Sequence, residues 1–389
     1  MSVSGAGLEG AVSVRLETAR GRVRAVSVTV RRPAAARALC GRTPEEAMRL
    51  VPLLFSLCGT AQSLAAAEAL EGALGLDGRP HAAARALLAD AETAANHAWQ
   101  ALMEWPARLG EAPQPKALAG LRAAAAAIHP ALYPARDGLR PGGDFLRPDP
   151  AALAAAIAAL RHEVMRAVFA APAPTDAAEL ERWSDRGETT AARLMRRVLA
   201  PGMAGFGACG VPALEAHPAN WFGERLSADA GFSETPLQDG APAHTGPLAR
   251  QSAHPLVAGL LAAHGSGLAA HVAARLVELA GLPDRMAACV ERLEDADAEA
   301  EAGTARHGEG SGAVDTARGR LAHWVRLEDG RIADARIVAP TEWNFAADGP
   351  LAQGLADAAA DAALAERAGL LVMALDPCVA SSIAIREGD

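Results

Sequence analysis

Lysine is nearly absent from this chain of 389 residues. Lys116 is the one lysine among 37 basic residues, set against 46 acidic ones, and the net charge is −9. No basic cluster stands out, which argues against nucleic acid as a partner, because such partners demand a positive patch. The preference for arginine, with abundant alanine, reflects a GC-rich coding sequence rather than a function. Cysteine is scarce as well. Cys40, Cys58, Cys209, Cys289 and Cys378 are odd in number and widely scattered, which excludes a disulfide framework and fits a reduced, cytoplasmic compartment. Met1 to Gly10 lacks a charged leader followed by an apolar core, so no secretory signal is visible. Long apolar runs are missing too: Ala151 to Leu160 is cut off by Arg161, His162 and Glu163, too short to span a bilayer.

What is present is material for a large core, since 51% of residues are hydrophobic. Length alone suggests two or three domains. Residues 11–30 alternate around a break at Arg20-Gly21 and predict a β-hairpin with Val12, Val14 and Leu16 on one face. Thr43-Pro44-Glu45-Glu46 predicts a helix start with a capping box and proline at the first turn. Pro52 predicts a kink or an early end. From about 61 to 305 the chain reads as mostly helical, with apolar residues at helical spacing in 61–76, 81–105, 115–128, 150–170, 175–199 and 247–280. The stretch 292–312, acidic and then glycine-rich, reads as solvated. A second hairpin is expected from Leu321–Leu327 and Ile332–Ala339 around Glu328-Asp329-Gly330. An alanine-rich helix near 350–367 and a strand-like Leu370 to Leu375 follow.

Two motifs carry the chemistry. Leu57-Cys58-Gly59-Thr60-Ala61 lies near one end and Asp376-Pro377-Cys378-Val379-Ala380-Ser381 near the other. A C-x-x-C pair supplies two thiolates, and two such pairs cage a soft metal. Here Ala61 and Ser381 occupy the second positions, leaving one thiol per motif.

Both motifs resemble those of the nickel-iron hydrogenase large subunit, R-x-C-G-x-C and D-P-C-x-x-C-x-x-H. More closely, the chain resembles the HupK/HoxV group of hydrogenase expression/formation proteins, degenerate copies of that subunit. Leu8-Glu9-Gly10 matches the family's I-E-G, Gly41-Arg42-Thr43-Pro44 its G-R-D-P, and Gly246-Pro247-Leu248-Ala249-Arg250 its G-x-L-A-R. Residues 312–319, ending in Ala317-Arg318-Gly319, match a segment ending in P-R-G, and Pro340-Thr341-Glu342-Trp343-Asn344 follows at the family's spacing. Ser56 departs from the motif arginine, and Ala384 from the final histidine.

The resemblance implies an α+β, mostly helical, large-subunit-like fold. Its β-hairpins come from the N- and C-terminal regions around a helical core, in one domain over 1–389: hairpin 11–30, helical middle 43–305, C-terminal hairpin and motif 312–385. By the same resemblance Cys58 and Cys378 match terminal nickel ligands, while the bridging cysteines are lost, which argues against nickel. The magnesium ligands would fall at Ala36 and Ala384, so no magnesium is expected. His97 matches a family histidine and, like His323, reads as packing or a supporting hydrogen bond rather than a ligand. Cys40, Cys209 and Cys289 read as structural. The chain ends five residues after Ala384, short of the cleavable tail of hydrogenase precursors.

The implied function is a non-catalytic maturation scaffold. It would hold an iron centre with cyanide and carbon monoxide ligands on Cys58 and Cys378, with Arg318 over the diatomic ligands. Small assembly chaperones and the hydrogenase large subunit would be its partners, with no nucleic acid or membrane involved. A metal-free mimic of the large-subunit surface is the alternative, and an active hydrogenase a distant third.

Overall fold

The computed structural model describes residues 10–32, 35–55, 57–135, 138–143, 145–294 and 308–388. Leu8-Glu9, Ser56 and 295–307 lie outside them. The expected N-terminal hairpin is β1 (Ala11–Ala19) and β2 (Arg22–Arg31). Its turn residues Arg20 and Gly21 both take positive φ, 52° and 72°, the backbone that suits a two-residue hairpin loop. Val12, Val14 and Leu16 are buried and alternate with exposed residues.

Helix α1 (Pro44–Leu54) opens on the predicted capping box. Thr43 Oγ1 accepts from Glu46 N at 3.2 Å, and Glu46 Oε2 accepts from Thr43 N at 3.0 Å. Pro52 stays inside the last turn, and the helix ends two residues later. Helix α2 (Gly59–Leu74) is buried along most of its length. It lies against β3 (Glu309–Thr316), the first strand of a meander completed by β4 (Gly319–Glu328) and β5 (Arg331–Val338). The solvated reading of 308–312 is therefore corrected. Glycine there serves close packing: a Cβ on Gly312 would lie 2.6 Å from Glu68 Cβ, and one on Gly72 3.1 Å from Gly310 Cα. The contact is fixed by Ala313 N donating to Glu68 Oε2 at 3.1 Å.

Helix α3 (Ala82–Trp99) continues into a π-helical turn, Gln100–Glu104. Pro106 lacks the N–H that would engage the Leu102 carbonyl, and that carbonyl accepts from Gln114 N at 2.8 Å instead. The wider turn brings residues five apart together, so that Trp99 Nε1 donates to Glu104 Oε1 at 3.0 Å. The long helix Leu268–Glu294 packs on α3 and passes through Pro283, outrunning the expected end near 280.

The C-terminal expectations need two corrections. Leu370 to Leu375 belongs to a helix, Leu364–Leu375, separate from the short helix Pro350–Leu355. A fully buried apolar run has no period that tells strand from helix, and this one continues a helical turn begun at Leu364-Ala365-Glu366. The helix stops at Asp376 in a left-handed conformation, φ 57°. After Cys378 the chain forms an unanticipated strand, β6 (Ala380–Glu387), parallel to β1 in the order β2-β1-β6. The two ends thus meet in one sheet. Its buried face joins a continuous core running from Val12 to Leu375. The α+β, mostly helical class is as expected.

Candidate functional site

Strand register assembles one wall of the site. Ala11, the first residue of β1, pairs with Arg31 at the end of β2 and with Ala380 at the start of β6. The residues just beyond these partners, Gly10, Arg32 and Cys378, therefore share one end of the sheet. Gly10 admits the C-terminal segment: a Cβ there would lie 2.7 Å from Val379 Cγ1. Cys58 arrives from the N-cap of α2, and Arg318 from the β3–β4 turn. That turn is tied by Thr316 Oγ1, which accepts from Arg318 N at 3.1 Å and Gly319 N at 3.2 Å. Cys58, Cys378 and Arg318 all line one cavity of about 510 Å³, with Arg32, Gln62, Trp99 and Glu104.

The two thiols are equipped differently. The Cys378 sulfur lies 2.7 Å from Arg32 Nη2, which donates to it, and 3.4 Å from Thr341 Oγ1. The Cys58 sulfur accepts from the Gln62 amide at 3.6 Å. Burial, then the neighbouring Cys378 and Glu92, push the Cys58 thiol up to about 12, against the pull of Arg318 and Gln62. Gln62 is oriented in turn by His323, whose Nε2 meets Gln62 Oε1 at 2.7 Å. Glu92 accepts from Thr60 N and Ala61 N at 2.8 and 3.0 Å, satisfying the first turn of α2 from another helix.

Behind the cavity runs a buried polar chain. Asp376 faces Arg318 Nε at 3.3 Å and Arg275 Nη1 at 3.1 Å. Arg275 Nη1 donates to His97 Nδ1 at 3.2 Å, so His97 carries its proton on Nε2 and donates to Glu278 Oε2 at 2.8 Å. Arg250 grips the same carboxylate with Nε and Nη2 at 2.6 and 2.7 Å and donates to Thr316 O at 2.9 Å, closing the loop back to the Arg318 turn. Burial works against the charge of Glu278, but Arg250 and His97 outweigh it and hold its carboxyl well below the ordinary value. Burial lowers His97 to about 4 despite Glu278.

A family model described as nickel-dependent hydrogenase matches residues 257–383. The chain is 34% identical to the hydrogenase expression/formation protein HupK of Azotobacter vinelandii, over 96% of this chain and 97% of that one. It is 32% identical to HoxV of Cupriavidus necator, another hydrogenase expression/formation protein, over 91% of each. This chain belongs to the HupK/HoxV family of hydrogenase expression/formation proteins. The fold extends further: the Ni-Fe-Se hydrogenase of D. vulgaris Hildenborough superposes with a TM-score of 0.62 at 18% identity, covering 93% of this chain and 94% of that one.

In this HupK/HoxV-type chain the structure brings Cys58, Cys378 and Arg318 together. His97 hydrogen-bonds with Glu278 and Arg275, and His323 reaches Cys58 through Gln62. Cys40, Cys209 and Cys289 lie outside the cavity lining. Ala36 falls in a short 3-10 turn, and Ala384 pairs with Arg15 inside β6. Among the described residues no group of three or more His, Cys, Asp or Glu side chains could hold a metal ion, and no helix is long and apolar enough to cross a membrane. Sequence reasoning missed Arg32, Gln62 and Glu104. The one signal for Arg32 was its place at the end of a predicted strand.

Proposed function

We propose that the chain is a non-catalytic scaffold of hydrogenase maturation that receives an iron centre bearing cyanide and carbon monoxide and passes it on. The observation that carries this reading is that both retained thiols and Arg318 line the same cavity. Iron with strong diatomic ligands needs few further donors, and two thiolates complete it without enclosing it. On loading, each sulfur forms a bond to iron as the iron's bonds to the delivering protein's donors break, and each thiol proton passes to solvent. On release the recipient's donors take the iron, those bonds break, and the thiols recover protons. No electron is transferred. With no cysteine at positions 61 and 381 a second metal has nothing to bridge it, so the cargo stays transferable. Arg318 suits the diatomic ligands: Asp376 lies 3.3 Å from its Nε as an ion-pair partner, and a guanidinium is a planar, fixed set of donors for cyanide nitrogen. Small assembly chaperones would deliver the cargo and the hydrogenase large subunit would receive it, in a reducing cytoplasmic compartment where both thiols stay free.

Infrared spectroscopy of the protein purified from its own maturation background tests this. Cyanide and carbonyl bands are expected in the wild type and lost in Cys58→Ala and Cys378→Ala. Their absence from the wild type under conditions that support maturation overturns the reading. Leu54 and Leu57, 37% and 48% exposed on the cavity rim, favour the second reading, a metal-free mimic of the large-subunit surface. That reading gains if the Cys58→Ala, Cys378→Ala double variant still supports maturation.

A further inference from the structure

We propose that Arg32 is the second guanidinium of this site, a positioning residue that aims the Cys378 sulfur at a soft-metal cargo and offsets the charge brought by two thiolates. The inference rests on the cargo-holding reading of the cavity and adds a residue to it.

Three observations converge on Arg32. Strand register puts it at the end of the sheet where Cys378 emerges. Its Nη2 donates to the Cys378 sulfur at 2.7 Å. Its Nε meets Glu342 Oε1 at 2.8 Å, while Glu342 Oε2 accepts from Ala339 N at 3.0 Å. Glu342 is thus pinned to the start of the helix Pro340–Asn344 and holds the guanidinium as an ion pair. Arg32 and Arg318 line the same cavity as Cys58 and Cys378. Two planar cations from distant parts of the chain therefore face one pair of thiols. A guanidinium can hold a carboxylate with one edge and a sulfur with another, whereas an ammonium is a single point of charge. Thr341, beside Glu342, brings its hydroxyl to the same sulfur, so the segment that holds Arg32 also touches Cys378.

The test is a titration of the full-length protein with Cd²⁺, a soft and redox-inert probe, read by sulfur-to-cadmium charge-transfer absorbance. Wild type is expected to bind with the intensity of two thiolates, and Cys58→Ala and Cys378→Ala to lose most of the affinity. Arg32→Met is expected to weaken binding at least about tenfold and to reduce the band per cadmium toward about half, the signature of one sulfur leaving the coordination set. Arg32→Lys is expected to fall between. Because Arg32→Met strands Glu342, the pair variant Arg32→Met, Glu342→Leu is measured beside it, since replacing both members of a buried pair is often neutral for folding. Binding within twofold of wild type and an unchanged band in either folded variant overturns the role of Arg32 alone. Failure of the wild type to bind Cd²⁺, or binding indifferent to both cysteines, overturns the cargo-holding reading itself.

Discussion

Asp376→Asn isolates the charge that holds the C-terminal cysteine segment in place. Asp376 is 5% exposed and sits between Arg275 at 3.1 Å and Arg318 at 3.3 Å. At these separations and an effective dielectric of about 20, each pair attracts by about 5 kcal/mol before the cost of burying the charges. Asparagine keeps the size and tolerates the left-handed backbone at φ 57°, so the substitution removes charge and little else. Both guanidiniums would then be buried against a neutral amide. Removing one partner of a buried ion pair typically costs about 3–5 kcal/mol, and that loss is expected in chemical denaturation of the purified chain at pH 7. A double-mutant cycle with Arg275→Met should show the two changes together costing less than their sum by at least about 1 kcal/mol, since they share one interaction. A loss under about 1 kcal/mol for Asp376→Asn, the range of an ordinary surface change, would refute the reasoning.

The remaining predictions concern the same neighbourhood. Cys58 holds its proton up to about 12, so the Cd²⁺ association constant should rise at least about tenfold per pH unit between pH 6 and 8, a decade for each thiol proton that must leave when sulfur binds metal; a flat profile by titration at each pH contradicts this. Gly312→Ala should cost about 1–3 kcal/mol by overpacking β3 on α2, and should also weaken Cd²⁺ binding because α2 carries Cys58; wild-type stability of that variant would show that the contact relaxes freely. His97, lowered to about 4 in the folded chain, takes its proton more readily when unfolded. Stability is therefore full above pH 6.5 and falls as pH drops toward 4, with His97 contributing a loss of about 2 kcal/mol at pH 5. The difference in unfolding free energy between pH 7 and pH 5 should shrink by that amount in His97→Gln.

Elements whose determinants are local were legible in the sequence. The N-terminal hairpin follows from alternation and Arg20-Gly21, the start of α1 from Thr43 and Glu46, and the β4–β5 turn from Asp329-Gly330. The helices between 59 and 199 follow from spacing. What was hidden depends on partners far away. Glu309–Gly312 is a strand because α2, more than two hundred residues earlier, offers it a flat, small-residue surface. Leu370–Leu375 is apolar on every side because it is buried on every side, and such a run carries no period. At the site, Cys58, Cys378 and Arg318 stood out through short motifs. Arg32 did not, since its partner lies 346 residues away and depends on the unforeseen β6. Glu104 was hidden by a π-helical turn that changes which side chains share a face.

The parallel pairing of β1 with β6 also fixes an order of events during synthesis. Ala11 meets Arg31 almost as soon as both leave the ribosome, but its other neighbour, Ala380, is translated more than three hundred residues later. At about 5–20 residues per second, roughly 20 to 60 s separate the appearance of Cys58 from that of Cys378. A nascent polypeptide already owns one sulfur and the guanidinium of Arg32, yet cannot complete the pair. On the proposed carrier reading, loading onto both sulfurs waits until Cys378 has emerged and β6 has paired with β1.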